Sequence, residues 1–559
     1  MFLKRFRKFV FVLLVFVLVA SACGPAQEAT PTEVSEAEET EMEEEEATPV
    51  EEEEEEVNTL VVAMPSTPPT LDNEFVIHPM VLAFQPNVYD TLIEYDTHFS
   101  EDRGIYEANI LPSEFVPQLA ESWDVSDDGT TYTFHLRDGV ESCYGNEMSA
   151  EDVLWTYERK LTLGGNSLLN MHLAGIRSMD QITAPDEDTI QITIDEPRPL
   201  FLQVHTLFFS NSVWDTTEVK KHTTDDDPYA RDWLETHAAG FGPYCVEEFT
   251  AGQQLVLTAN PGYWGEAPYF DRVIWREVPE SSNRLALLLG GDVDIAYGLT
   301  PRQRNDLEGV DDVKIAYSPS NNFMEIAFNN QIEPFGNETL RKALAYAVPY
   351  KDILDTVYFG DARLRKSIVP DIYPGYTDEY WDYNTDLDKA EEMLAEAGYP
   401  DGLEITLAYD VVDPEAEQIA VLVKSNWDQI GAQTTLNRMP SANFADQQGS
   451  RDLPAFIWSE QPIYPDPIFA TWLWFHDDNF PAWSEYKNEE MEQLFEEAMS
   501  LTGEERLEAA REIQQIIMED MPVIPLVERG WYLPMGADIE GYTWYPDNTT
   551  HFEDLHREQ

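Results

Sequence analysis

From residue 58 the chain alternates between two apolar rhythms. Short runs such as NTLVVAM (58–64), stopped by Pro65, Pro68 and Pro69, read as buried strands. YTFHL (132–136) alternates with a period of two, and Asp128-Gly129 just before it signals a hairpin turn. Other stretches carry apolar residues three and four apart, the spacing of an amphipathic helix. SAEDVLWTYERKL opens such a helix, with Ser149 as N-cap and Asp152 completing a capping-box start. NETLRKALAYAV begins another behind Asn337, and LDKAEEMLAEAGY is a third, ended by Gly398. EQIAVLVKSNWDQIGAQTTLNRM reads as helix, glycine stop and strand, and residues 489–520 as a helical pair broken at Gly503. Strands interleaved with helices predict an α/β fold. No internal repeat is sustained.

The N-terminus follows a different pattern. Residues 1–8 (MFLKRFRK) are basic, residues 9–19 are unbroken Phe, Val and Leu, and small residues follow. That order describes a secretory signal peptide over residues 1–22. The apolar run is about fourteen residues, short of the roughly twenty that span a bilayer. Val-Ala-Ser-Ala-Cys at 19–23 resembles a bacterial lipobox, which makes Cys23 the expected lipidation site and new N-terminus. Residues 24–56 hold sixteen Glu and no Lys or Arg. Such a segment has no means of building a core and extends by self-repulsion, so residues 23–56 are expected to be a disordered acidic tether. Together these place the body on the outer face of the cell membrane or in the periplasm, held by a lipid anchor.

Composition adds constraints. At 559 residues the chain exceeds what one core usually holds. Its net charge of -73 repels phosphate backbones, so nucleic acid is not an expected partner. The acidity reads first as a solubilising surface, and secondly as attraction for a cationic ligand. Ten His and three Cys show no metal-ligand spacing, so neither metal nor other cofactor is expected. GxSxG, HExxH and GxxxxGK[ST] motifs do not occur, and no enzyme is expected.

Several stretches, in order, carry a resemblance. They are LAESW (119–123) with DDGTTYTFHLRDGV, the SAEDV helix start, Gly242-Pro243-Tyr244, NPGYWG (260–265) and GDVDI (291–295). FNN at Phe328, LRKALAYAV, KAEEMLAEAGYPDG and Gly541-Tyr542 follow. With them the chain resembles the solute-binding proteins of ABC importers, in the dipeptide/oligopeptide-type class called family 5. The resemblance implies a type II periplasmic-binding-protein-like fold, two lobes with a ligand cleft at the hinge. Residues 57–100, 238–319 and 528–559 would form the core of lobe 1. Residues 101–237 would be its extra subdomain and 320–527 lobe 2, with hinge strands near 319–325 and 526–530. Cys143 and Cys245 fall in two of the matching motifs; they are read either as a disulfide or as two buried thiols.

The same resemblance implies a monomeric lipoprotein that captures a solute and delivers it to an ABC transporter permease. Peptide-binding relatives pair the peptide's amino group with an Asp after a Trp in lobe 2. Here Trp458 is present, Gln461 takes the Asp position, and the adjacent Glu460 is expected to point elsewhere. Small-dipeptide binders clamp the carboxylate with an Arg after the LEITL strand. This chain has Asp410, Asp413 and Glu415 there. A zwitterion would lack its charged partners, so an oligosaccharide is weighed beside a peptide-like or cationic solute. Expected ligand contacts are Asn321, Asn322, Phe323, Trp458, Gln461 and Tyr464, with Phe469, Trp472 and Trp474 as further aromatic faces. Two other readings are a secreted glycoside hydrolase using paired carboxylates and a chemosensory or chaperone-like binding protein.

Overall fold

The computed structural model describes residues 57–558 apart from 73, 112, 478, 480 and 481. The leader, Cys23 and the acidic tether lie outside the described residues. None of the described helices is long and apolar enough to cross a membrane.

The body is two-lobed and organised on one mixed sheet. In the first lobe Thr59–Met64 lies parallel to Arg272–Glu277, whose other edge pairs antiparallel with Gln254–Ala259 and then Tyr244–Thr250. In the second lobe Leu403–Asp410 lies parallel to both Ala432–Met439 and Ala455–Glu460. Two long antiparallel strands, Val313–Phe328 and Val523–Gly536, belong to both lobes and carry the sheet from one into the other. Their pairing breaks between Ser318 and Asn322, so residues 319–321 mark the junction.

A four-stranded antiparallel sheet forms a subdomain, in the order Ala120–Val125, Thr131–Leu136, Thr189–Thr193, Ile182–Asp186. Its first hairpin turns at the anticipated place: Asp128 Oδ1 accepts from Ser126 and Thr130, and Gly129 supplies the left-handed φ of 68°. The Ala150–Leu163 helix packs on this sheet and starts with the expected reciprocal cap between Ser149 and Asp152. Asn337 caps Glu338–Tyr346, and Gly503 opens Gly503–Asp520 behind Glu489–Ala498. The C-terminal residues return to the first lobe, where Thr543–Trp544 pairs with Ile105–Ala108. Buried apolar contacts run unbroken from the subdomain into the second lobe.

Two features tie distant segments together. Gly240 and Gly242, around the GPY motif, lie so close to the backbone of Val88 that a Cβ on either would stand within 2.5 Å of it. Cys143 and Cys245 are joined by a disulfide, Cα–Cα 5.5 Å, which closes a loop over a sequence separation of 102. A third tie is ionic. At the second-lobe end of the crossover, Arg365 Nη1 donates to Glu325 Oε2 at 2.6 Å, and Trp458 Nε1 donates to Glu325 Oε1 at 3.0 Å. Arg365 also donates to the Ile368 carbonyl and lies 3.7 Å from the Phe323 ring centroid. Burial raises the Glu325 carboxyl above its ordinary range, and the Arg365 guanidinium opposes that shift.

Arg365→Met leaves Glu325 buried without its cation and should cost about 3–5 kcal/mol in urea unfolding, with much of the loss recovered in Arg365→Met/Glu325→Leu. Replacing both Cys143 and Cys245 by Ser should lower stability by up to about 4–5 kcal/mol in the chain-entropy description of so long a loop. Unfolding with and without reductant measures it, and the serine variant should be insensitive to the reductant.

Candidate functional site

Between the lobes lies a cavity of about 440 Å³. The subdomain supplies Asn166, Leu169 and Asn170 from the start and body of a short helix, and Leu207–Phe209 from a following turn. The second lobe supplies Glu460 and Gln461 from the end of the Ala455–Glu460 strand, then Ile463. Its Pro467–Phe475 helix adds Phe469, Leu473 and Trp474. That helix has apolar residues on every side, which suits a position between a core and a dry cavity. Ile77 and Leu169 are large apolar side chains left 68% and 42% exposed at the lining, more than an ordinary surface requires.

The polar part of the wall is small and acidic. It consists of Glu460, Gln461, Asn166, Asn170 and Asp547, and among the described residues no Lys or Arg lines it. Burial pushes the Glu460 carboxyl up to about 7, although the amide of Gln461 and the charge of Arg529 favour its ionised form. Asp547 is raised by burial as well, against the hydrogen bonds it receives from Thr549. Gln461 is held from both sides: Asn548 Nδ2 donates to its Oε1 at 2.6 Å, and its own Nε2 donates to the Asp547 carbonyl.

A second cavity, about 340 Å³, has Asn322 and Arg529 in its wall. Here Arg529, from the returning crossover strand, donates to Asn322 Oδ1 at 2.7 Å and Glu415 Oε2 at 3.1 Å. Tyr358, Asp361 and Arg304 also line it.

The residues anticipated from sequence separate into distinct roles. Gln461 lines the main cavity and Asn322 the second. Asn321 is fully buried; its amide donates to Tyr373 and to the carbonyls of Pro462 and Pro546, so it ties the lobes together. Tyr464 is 1% exposed and donates across the interface to Asn170. Phe323 and Trp458 pack edge-on in the second-lobe core with Trp474. Phe469 and Trp474 are on the cavity wall, whereas Trp472 is not among its lining residues.

Glu460 lines the cavity beside Gln461, against the expectation that it would point elsewhere. The strand ends at Glu460 and the chain bends from Ile463, so the alternation that would separate neighbouring side chains extends no further than Glu460. Asp547 and the subdomain wall were not anticipated, because no local pattern marks a residue that meets its partner only after the chain returns. The run of apolar residues in PIFATWLWF is the one signal that could have found the second-lobe wall. Of the acidic group near 410, Asp413 caps the Pro414–Gln429 helix, Asp410 accepts from Ser441, and Glu415 meets Arg529.

Comparison with known proteins agrees with this architecture. The profile of the bacterial extracellular solute-binding proteins, family 5 (middle) matches residues 114–482. The probable D,D-dipeptide-binding periplasmic protein DdpA of Escherichia coli K12 is 30% identical over 494 residues, 87% of this chain and 92% of its own. Heme-binding protein A of Haemophilus influenzae is 27% identical over 490 residues, 83% of this chain and 88% of its own. The structure is similar to that of the periplasmic binding protein DppA from Helicobacter pylori in complex with the peptide STSA. The TM-score is 0.76 at 25% identity, covering 90% of this chain and 98% of that one. These relatives are named as binding proteins rather than enzymes. The chain belongs to the bacterial extracellular solute-binding proteins, family 5, the dipeptide/oligopeptide-type binding proteins of ABC importers.

Proposed function

We propose that this protein captures a peptide-like solute with an apolar body and a free amino group in the interlobe cavity. It then presents that solute to an ABC transporter permease from the outer face of the membrane, where a lipid on Cys23 anchors it. The observation that carries the solute class is the cavity wall, aliphatic and aromatic over most of its surface, with Glu460 and Asp547 and, among the described residues, no Lys or Arg. Apolar surface removed from water supplies affinity without regard to detail, and the few polar groups set orientation. An ammonium group placed between Glu460 and Asp547 would neutralise two carboxylates that burial now disfavours. An oligosaccharide, also weighed from sequence, would need donors and acceptors around each ring, and this wall offers few. A peptide carboxylate finds no partner in the main cavity; Arg529 stands next door, beyond Asn322 and Gln461. Relatives named for D,D-dipeptides and for a bound peptide support the reading.

Native mass spectrometry of the gently purified full chain should show peptide or amine masses; hexose or pentose units would overturn the solute class. Leucyl-leucine should bind more tightly than its N-acetyl form, and Glu460→Gln should erase most of that difference, a loss of about tenfold or more. Affinity for the free amine should fall as pH drops through about 7. Glu460 must be ionised to pair with it and takes up its proton in that range. An affinity flat between pH 8 and 5 (roughly the span over which such a carboxyl changes charge) would remove Glu460 from the site.

A further inference from the structure

The second cavity has two cations in its wall, Arg304 and Arg529, whereas no Lys or Arg among the described residues lines the main one. We infer that Arg529 takes the carboxylate of the solute whose amino group lies between Glu460 and Asp547. One extended peptide of two or three residues, with a free C-terminus, then lies across both cavities. The inference rests on the peptide-like solute proposed above and adds the group that reads its other end.

Position is the first support. Arg529 stands opposite Asn322 in the crossover register, and its Nε donates to Asn322 Oδ1 at 2.7 Å. Directly opposed residues of paired strands face the same side of a sheet. Asn322 Nδ2 lies 3.5 Å from Gln461 Oε1, which extends the row to three side chains. Gln461 lines the main cavity, and Asn322 and Arg529 line the second, so the two adjoin at this row. Three strands set side by side cover about 10 Å. An extended peptide advances about 3.3–3.6 Å per residue, so two or three residues and the arginine's own length span the row.

Spare donors are the second support. A guanidinium carries five N–H groups. Among the described residues Arg529 gives one from Nε to Asn322 and one from Nη1 to Glu415 Oε2 at 3.1 Å. Nη2 keeps both of its hydrogens, and the side chain is 23% exposed where it lines the cavity. Its two partners fix the plane of the fork, so a carboxylate meets a donor already in place. The segment that follows the Leu403–Asp410 strand has acids and no cation at 410–415. It contributes instead the Glu415 that holds Arg529 from the crossover strand.

The surroundings decide between the two arginines. Arg304 Nε donates to Asp361 at 3.1 Å and its Nη1 to the Leu299 carbonyl at 2.7 Å. Its guanidinium also stands 4.1 Å from the Tyr532 ring centroid, and its side chain is 12% exposed. Arg529 is the more accessible of the two and is the one joined through Asn322 to the main cavity wall. Carboxylates without a cation at one end and a guanidinium with donors to spare at the other match the charge order of a zwitterion.

The test is calorimetric titration of the full chain with leucyl-leucine, trileucine and the C-terminal amide of each, at about 150 mM salt. The wild type should prefer the free acid by about tenfold or more at one or both lengths, and Arg529→Met should erase that preference. The preference is the readout because a purely structural loss weakens acid and amide alike. Glu415→Gln keeps Arg529 and frees its Nη1, so the preference should persist or grow; this variant decides alone if Arg529→Met unfolds in a thermal melt. Wild-type binding of acid and amide alike, a preference that survives Arg529→Met, or one lost in Glu415→Gln would overturn the inference. If leucyl-leucine still binds better than its N-acetyl form while acid and amide bind alike, this inference falls alone. If neither peptide binds, the peptide-like solute falls with it.

Discussion

The buried pair of Glu325 and Arg365 is the constraint on which the second lobe's geometry rests. A charge this deep has to be matched, because removing one partner strands the other in a medium that cannot solvate it. Here the match is built from three separate segments. Glu325 stands opposite Trp458 in the sheet register, and Trp458 spends its only donor on Glu325. Arg365 caps the arrangement and covers the Phe323 ring. Phe323 pairs with Glu460 in the same register. The cavity-facing end of the strand is therefore placed by an interaction two residues deeper, and Trp458, outside the cavity lining, supports that wall through its bond to Glu325.

The junction between the lobes solves a related problem with neutral groups. Where the crossover strands lose their pairing, backbone groups would be left buried and unmatched. Side chains take over. Ser320 Oγ accepts from the Asn322 amide, and Asn321 gathers the carbonyls of Pro462 and Pro546 from the two lobes. Asn548 donates to both Asn321 and Gln461. This polar knot joins Gln461 of the main cavity wall to Asn322 of the second. Because its members are neutral and bonded to one another, the knot adds no net charge to either side.

Much of the fold was legible because it is written in local signals. The Asp128-Gly129 turn, the Ser149–Asp152 box and the Asn337 cap each need only a few neighbouring residues, and periodicity identified the helices between them. The site was legible only in part, since its walls come from segments hundreds of residues apart. Gln461 could be found because a motif locates it relative to Trp458. Glu460 shares the cavity wall with Gln461 because the strand stops at Glu460 and alternation with it. Asp547 and the subdomain helix carry no local mark. Asn321, Trp458 and Tyr464 look like recognition residues in sequence, yet each has its polar atoms committed to the protein itself. Residue type cannot distinguish a donor offered to a ligand from one already used.

Acidity then acquires a structural meaning beyond solubility. Exposed acidic charge, in a chain whose net charge is -73, is screened within about 8–10 Å at physiological salt. Carboxylates set into low-dielectric walls escape much of that screening and act at closer range. The main interlobe cavity holds such carboxylates, and among the described residues no Lys or Arg lines it, whereas the second cavity has Arg304 and Arg529. Surface charge of one sign brings cations toward the protein as a class. The unmatched carboxylates in the walls decide where a cation gains by leaving water, and the apolar or aromatic faces beside them decide what the rest of that molecule must be.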